Sequence, residues 1–226
     1  MPLEPPAIIF DLDGTLIDSR TPLQICLNAL LGARGLRPLS EVELQACMGR
    51  GLAAFVAEAL ALVGTDRPVA PVLAELRARY DEESIRTVRP FAGVEPALVS
   101  LGQSHRLALC TNKPRRPTEA IIERLGWSRH FEAVAARGDT SAPKPDPSLL
   151  LRVLEQLQVR VEDAVLVGDT KNDARAAHAL GMRFYAVSWG DGQGPPEALH
   201  PVAVLPSLSV LSELLGSAIG KPLDHC

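Results

Sequence analysis

Basic residues are not in surplus in this chain: 23 lysines and arginines stand against 27 aspartates and glutamates, for a formal net charge of −4. Without a positive excess nothing neutralises a phosphate backbone, so nucleic acid is not an expected partner. The densest basic run, Lys113-Pro114-Arg115-Arg116, reads as a solvated loop. No stretch reaches the ~18–20 uninterrupted apolar residues of a membrane span. The start, Met1 to Pro6, lacks the positive n-region and apolar run of a signal peptide. Cysteine is sparse as well. Cys26, Cys47, Cys110 and Cys226 form no Cys-x-x-Cys pair and are expected to be reduced, mostly buried thiols of a cytoplasmic protein.

Several familiar signatures are missing too. The five histidines show no metal-ligand spacing, and no Gly-x-Ser-x-Gly elbow occurs. The glycines of Gly190-Asp191-Gly192-Gln193-Gly194 read as a flexible loop and do not fit a dinucleotide fingerprint. The segment Gly216 to Lys221 is one residue short of a phosphate-binding P-loop and runs into Pro222. There is no internal repeat.

What remains is a chain of 226 residues, 46% hydrophobic and 22% charged, enough for one large domain or a domain with an insert. Ala7-Ile8-Ile9-Phe10 is a short continuous apolar run, the pattern of a buried strand. From about Thr21 to Ser84 the pattern is helical: Leu23 to Leu31, a helix opened by the capping box Ser40-Glu41-Val42-Glu43, then Leu52 to Val63 and Val72 to Tyr80. After Pro90 strand and helix alternate. Strands are predicted at Leu107–Cys110, Ala133–Ala136, Val165–Val167, Tyr185–Val187 and, more weakly, Val202–Leu205. Helices are predicted near Glu95–Ser104, Pro117–Leu125, Pro147–Leu157 and Asn172–Leu180. Pro117 and Pro147 suit first helical positions, and Gly126 and Gly181 suit the residue past a helix end. This alternation implies an α/β fold, a parallel sheet with helices on both faces, interrupted by a helical insertion.

In such sheets ligands bind at the carboxyl ends of the strands. The first strand is followed by Asp11-Leu12-Asp13-Gly14-Thr15 and the second by Thr111-Asn112-Lys113. The third leads through a short loop to Lys144-Pro145, and the fourth is followed by Gly168-Asp169-Thr170-Lys171-Asn172-Asp173. Four carboxylates gathered at one edge repel each other unless cations neutralise them. An all-oxygen set of this kind suits Mg²⁺, which keeps some waters and takes phosphate oxygens as further ligands. Lys144 supplies a fixed positive charge, Thr111 a hydroxyl, and the backbone around Asn112 and Gly14 further donors for a phosphate. One carboxylate of the Asp11/Asp13 pair is a candidate nucleophile and the other a candidate acid/base.

These residues resemble the four motifs of the haloacid dehalogenase-like superfamily of phosphohydrolases: Asp11-x-Asp13-Gly-Thr, the strand-ending Thr111-Asn112, Lys144-Pro145 and Gly168-Asp169-x-x-x-Asp173. The resemblance spans the whole chain, and Gly168 to Met182 is similar to phosphoglycolate phosphatases and their close relatives. It implies a Rossmann-like core at 1–16 and 89–226, with a helical cap at 17–88 inserted after the first motif. It further implies Asp11 as nucleophile and Asp13 as general acid/base. Mg²⁺ would be held by Asp11, the Asp13 backbone carbonyl and Asp169, with Asp173 orienting the site from behind. Thr111, Asn112 and Lys144 would bind the phosphoryl group. Arg50, in the loop between two cap helices, is a candidate for the substrate's anionic groups.

The expected activity is hydrolysis of a small phosphorylated metabolite, 2-phosphoglycolate first. A sugar-phosphate mutase resembling beta-phosphoglucomutase, or a phosphatase for a sugar phosphate, nucleotide or pyrophosphate, would share every motif. A haloacid dehalogenase proper has no use for Asp13. A receiver-like phospho-acceptor module needs neither Asp13 nor an insert of roughly 65–70 residues, far beyond the usual connection of ~4–6. Nothing in the sequence signals an oligomeric state.

Overall fold

Ala7–Phe10 forms strand β1, and all four residues are buried because the strand is flanked on both edges and covered on both faces. The computed structural model describes residues 6–48, 51–190, 192 and 194–218. Arg50, Cys226 and the end of the Gly216–Lys221 segment lie outside them. Beyond β1 comes a two-residue strand, β2 (Ile17–Asp18). Four helices follow: α1 (Arg20–Gly32), α2 (Glu41–Cys47), α3 (Leu52–Leu62) and α4 (Val69–Thr87). A second short strand, β3 (Arg89–Pro90), pairs antiparallel with β2. The chain thus enters and leaves the helical stretch at one place.

Strand–helix alternation begins after that: α5 (Val94–Leu101), β4 (Arg106–Pro114), α6 (Arg115–Arg124), β5 (Ala133–Arg137) and α7 (Ser148–Leu157). It continues with β6 (Ala164–Gly168), α8 (Lys171–Ala179), β7 (Arg183–Val187), β8 (Ala203–Leu205) and α9 (Leu211–Ala218). The six-stranded sheet has the order β5-β4-β1-β6-β7-β8, and each pairing within it is parallel. The α/β class and all six core strands agree with the sequence pattern.

Period-two alternation divides the sheet's side chains between two cores. Ile8, Phe10, Leu107, Leu109, Val165 and Val167 face α5, α6 and α9. Ile9, Ala108, Cys110, Leu166 and Ala186 face α7 and α8. A third core, from Cys26 to Leu76, is built within α1–α4.

Three sequence expectations shift. Helix α6 starts at Arg115, so Pro117 is its third residue; the first-turn N–H groups have no helical partner, and a proline there loses no bond. Pro147 precedes α7 as its cap residue. Helix α4 extends beyond Val72–Tyr80 in both directions, since its polar C-terminal turns carry good helix formers even without an apolar stripe. Gly126 and Gly181 do lie just past α6 and α8, with φ of 71° and 67°. No described helix is long and apolar enough to cross a membrane.

Candidate active site

The carboxyl ends of β1, β4 and β6, adjacent in the sheet, bring the sequence-predicted residues together. Asp11 follows β1 directly, and its N–H still bonds the Val167 carbonyl of β6 at 2.9 Å. The chain then folds back sharply: the N–H groups of Leu16 and Ile17 both reach the Leu12 carbonyl, at 2.9 and 3.1 Å. Gly14 allows this turn. Its φ is +81°, and a Cβ there would lie 2.4 Å from Asp169 Oδ2. Asp169, at the end of β6, also accepts a hydrogen bond from Thr15 Oγ1 at 3.2 Å. Gly190 approaches Asp169 from the other side, where a Cβ would fall 2.2 Å from the Asp169 Cβ. Gly190, which the sequence presents as part of a flexible loop, therefore packs against Asp169.

Thr170 caps α8, its hydroxyl accepting from the Asp173 N–H at 3.3 Å while Asp173 Oδ2 accepts from the Thr170 N–H at 3.0 Å. Asp173 is fully buried, and Gly168 makes room for it, since a Cβ at 168 would be 2.7 Å from Asp173 Cγ. The capping box holds one oxygen of Asp173 and leaves Oδ1 pointed at Lys144, 2.5 Å from its Nζ.

Lys144 is 2% exposed and joins the carboxylates. Its ammonium donates to Asp11 Oδ1 at 2.9 Å, to Asp173 Oδ1 and to the Cys110 carbonyl at 2.6 Å. Burial pulls a lysine down, but the charges of Asp11 and Asp173 outweigh it and hold Lys144 above its ordinary pKa. Asn112 fixes the Lys144 backbone from both sides, donating to its carbonyl and accepting from its N–H, each at 2.8 Å. The Asn112 side chain is thus occupied in positioning Lys144, which leaves its backbone for a phosphate. Thr111 is buried, and its Oγ1 accepts from the Lys113 N–H at 3.1 Å. Its hydroxyl proton is therefore available to a ligand.

Asp11 is pushed up to about 7, chiefly by burial, against the opposing pull of Lys144. Asp11, Asp169 and Asp173 each bring one carboxylate oxygen within 4.8 Å of the others, and all three are buried. One ammonium against three carboxylates leaves an uncompensated double negative charge if all ionise. A hard divalent cation fits that donor set and that charge.

The sequence reading missed two residues. Lys113, in the basic run that reads as a solvated loop, is 5% exposed, and its Nζ lies 3.2 Å from Asp13 Oδ1. Period-two placement on β4 puts Lys113 on the same side as Thr111, which is the signal that finds it. Tyr80, on α4, places its hydroxyl 3.5 Å from Asp13 Oδ1. No local pattern announces it. Arg115 is also not free in solvent, being paired with Asp139 and with Glu119 at 2.7 Å. Cys110 is a buried thiol pushed up to about 12 by burial, consistent with packing and not with nucleophilic use.

Over these groups lies a cavity of about 540 Å³, roofed by Leu23, Leu52, Phe55, Arg77 and Tyr80 of the helical stretch. A family model described as haloacid dehalogenase-like hydrolase matches residues 8–187. The chain belongs to the haloacid dehalogenase-like hydrolases. Curated relatives in this family include the phosphoglycolate phosphatases of Rhodospirillum rubrum, 34% identical over 221 residues, and of Agrobacterium fabrum, 34% identical over 219. Those alignments cover 94% and 95% of this chain and 91% and 93% of the relatives. Among solved structures, a predicted phosphoglycolate phosphatase from Haemophilus somnus superposes with a TM-score of 0.81 at 22% identity, covering 95% of this chain and all of that one. Within the haloacid dehalogenase-like hydrolases, the chain is an enzyme of the phosphatase group.

Proposed function

We propose that this hydrolase is a Mg²⁺-dependent phosphatase of a small phosphomonoester, with 2-phosphoglycolate the leading substrate, and that it works through an aspartyl phosphate on Asp11. The observation that carries the proposal is the buried set Asp11, Asp169 and Asp173 around one lysine, with Asp13 two residues from Asp11 and outside that set. In the same reading, residues 1–16 and 89–226 form the catalytic core and 17–88 a cap. The separate apolar core within α1–α4 supports that division. The names of the curated relatives support the substrate.

Asp11 attacks the phosphorus, its oxygen forming the new P–O bond as the ester oxygen departs. Among the described residues Lys144 meets Asp11 at Oδ1 alone, so Oδ2 has no protein partner. Asp13, held apart by Lys113, gives its proton to the departing oxygen. Asp13 then takes a proton from water, which attacks the phosphorus and frees phosphate and Asp11. Thr111 and the backbone at Asn112 bind the phosphoryl oxygens, and Lys144 holds Asp11 and Asp173 in place. Asp11, Asp169 and the Asp13 carbonyl would hold Mg²⁺, with Asp173 behind them; the ion supplies positive charge that lets dianionic phosphate approach the carboxylates. A cavity of about 540 Å³ suits a small substrate, and the roof contributed by the cap excludes bulk water.

The test is phosphate release from a panel of small phosphomonoesters, 2-phosphoglycolate and hexose phosphates among them, with and without Mg²⁺. Metal-dependent turnover with 2-phosphoglycolate ranked first is expected. A sugar phosphate ranked first would replace the substrate and keep the reaction. No release, with interconversion of sugar phosphates instead, would replace phosphatase by mutase.

A further inference from the structure

Two arginines line the cavity over the site and have no acceptor in the protein. Arg77 lies on α4, and Arg137 is the last residue of β5. Both are exposed, and among the described residues neither makes an ion pair or a side-chain hydrogen bond. The lysines of the lining are committed, Lys144 to Asp11 and Asp173 and Lys113 to Asp13. The nearby Arg115, just past β4, is held by Asp139 and Glu119.

Arg77, Tyr80 and Asp81 stand at i, i+3 and i+4 on α4 and share one face. That face is turned to the catalytic carboxylates, since the Tyr80 hydroxyl is 3.5 Å from Asp13 Oδ1. Arg77 lies three residues back from Tyr80, about 4.5 Å along the helix axis. Arg137 comes from the sheet instead. It pairs in register with Pro114, the neighbour of Lys113, at the carboxyl ends of β4 and β5. Among the described residues of the lining, Asp81 is the one acid apart from Asp13 and the Asp11 cluster. Two guanidinium groups therefore face a single further carboxylate, and one positive charge is left over. Leu23, Leu52 and Phe55 make much of the intervening wall apolar. Such a wall strengthens the pull of fixed charges on an anion. The guanidinium fork, in turn, matches the two oxygens of a carboxylate.

We propose that Arg77 and Arg137 form an anion subsite that takes a carboxylate of the substrate while its phosphate lies at Asp11. This inference rests on the phosphatase reading and deepens it, because the substrate class becomes phosphomonoesters of small hydroxy acids. Neutral sugar phosphates leave the subsite empty. Neither arginine makes or breaks a bond; the pair holds the far end of the substrate.

The probes are 2-phosphoglycolate and its neutral analogue, in which a carboxamide replaces the carboxylate. A hydrogen bond to a charged group is worth about tenfold or more. The wild type should therefore prefer the acid to the amide by about a hundredfold in kcat/KM. Arg77→Gln and Arg137→Gln should each cut that preference about tenfold, chiefly through KM, and the double variant should abolish it. Since neither side chain has a protein partner to lose, the unfolding midpoints should match the wild type. A wild type indifferent to the carboxylate, equal losses on both esters, or a preference that survives intact in either single variant would overturn the subsite. Each of those results would leave the phosphatase reading standing. Absence of Mg²⁺-dependent release by the wild type from both esters and from the panel would overturn both.

Discussion

At the scale of single residues the site is a problem of charge. Lys144 offsets one of three buried carboxylates, and breaking a buried pair by removing one partner typically costs about 3–5 kcal/mol. Lys144→Met should therefore destabilise the metal-free protein by about that much in urea unfolding, and Mg²⁺ should recover more stability in the variant than in the wild type. Asp11 adds a pH dependence. Burial raises it from 3.8 to about 7, so the folded chain keeps a proton that the unfolded chain has released. Its contribution to metal-free stability is greatest in acid and is lost as pH rises through that window. Since Mg²⁺ needs the ionised carboxylate, the rise in unfolding midpoint on adding Mg²⁺ should be larger at pH 8 than at pH 5.5. A larger rise at pH 5.5 would contradict the placement of the ion. The charges themselves were legible in sequence, because Asp11, Asp13, Lys144 and Asp169 each follow an apolar strand or its short loop. Tyr80 was not, since 67 residues separate it from Asp13 and helix position alone does not reveal which side chain meets a distant loop.

At the scale of elements, two helices begin with the same device for different ends. Ser40 caps α2 through Glu43, which also pairs with Arg37 on the surface, whereas Thr170 caps α8 through Asp173, which reaches Lys144. Loss of either cap by mutation to alanine should cost about 1 kcal/mol. Ser40→Ala should leave turnover nearly unchanged, while Thr170→Ala should also free Asp173 from its fixed rotamer and lower turnover several-fold. Equal effects on turnover would show that the α8 cap does not serve the site. The α2 box could be read directly as Ser-x-x-Glu. The α8 box ends in aspartate, and its dual use depends on Lys144, which arrives from another loop. The strands β2 and β3 are two residues each, too short for periodicity to reveal, and only their pairing across the insertion defines them.

For the molecule as a whole, the apolar core of α1–α4 is distinct from the two cores flanking the sheet. Leu30 is fully buried in it, and a leucine-to-alanine change in such a place costs about 2–5 kcal/mol. Leu30→Ala should therefore accelerate hydrogen exchange across α1–α4 while β1, β4 and β6 keep their protection; uniform acceleration through the sheet would argue against an independently packed cap. The alternation of strands and helices made the sheet readable, whereas the seating of the helical stretch over the sheet depends on tertiary contacts such as Tyr80 with Lys113. Everything proposed for the site turns on Asp11 as the nucleophile of a metal-dependent phosphatase. It is tested most directly by phosphate release from 2-phosphoglycolate by the wild type and Asp11→Asn, each with and without Mg²⁺. Mg²⁺-dependent release by the wild type is expected, with a loss on the order of 10³-fold or more in the variant and folding retained. Turnover by Asp11→Asn near the wild-type rate, or release indifferent to Mg²⁺, would contradict it.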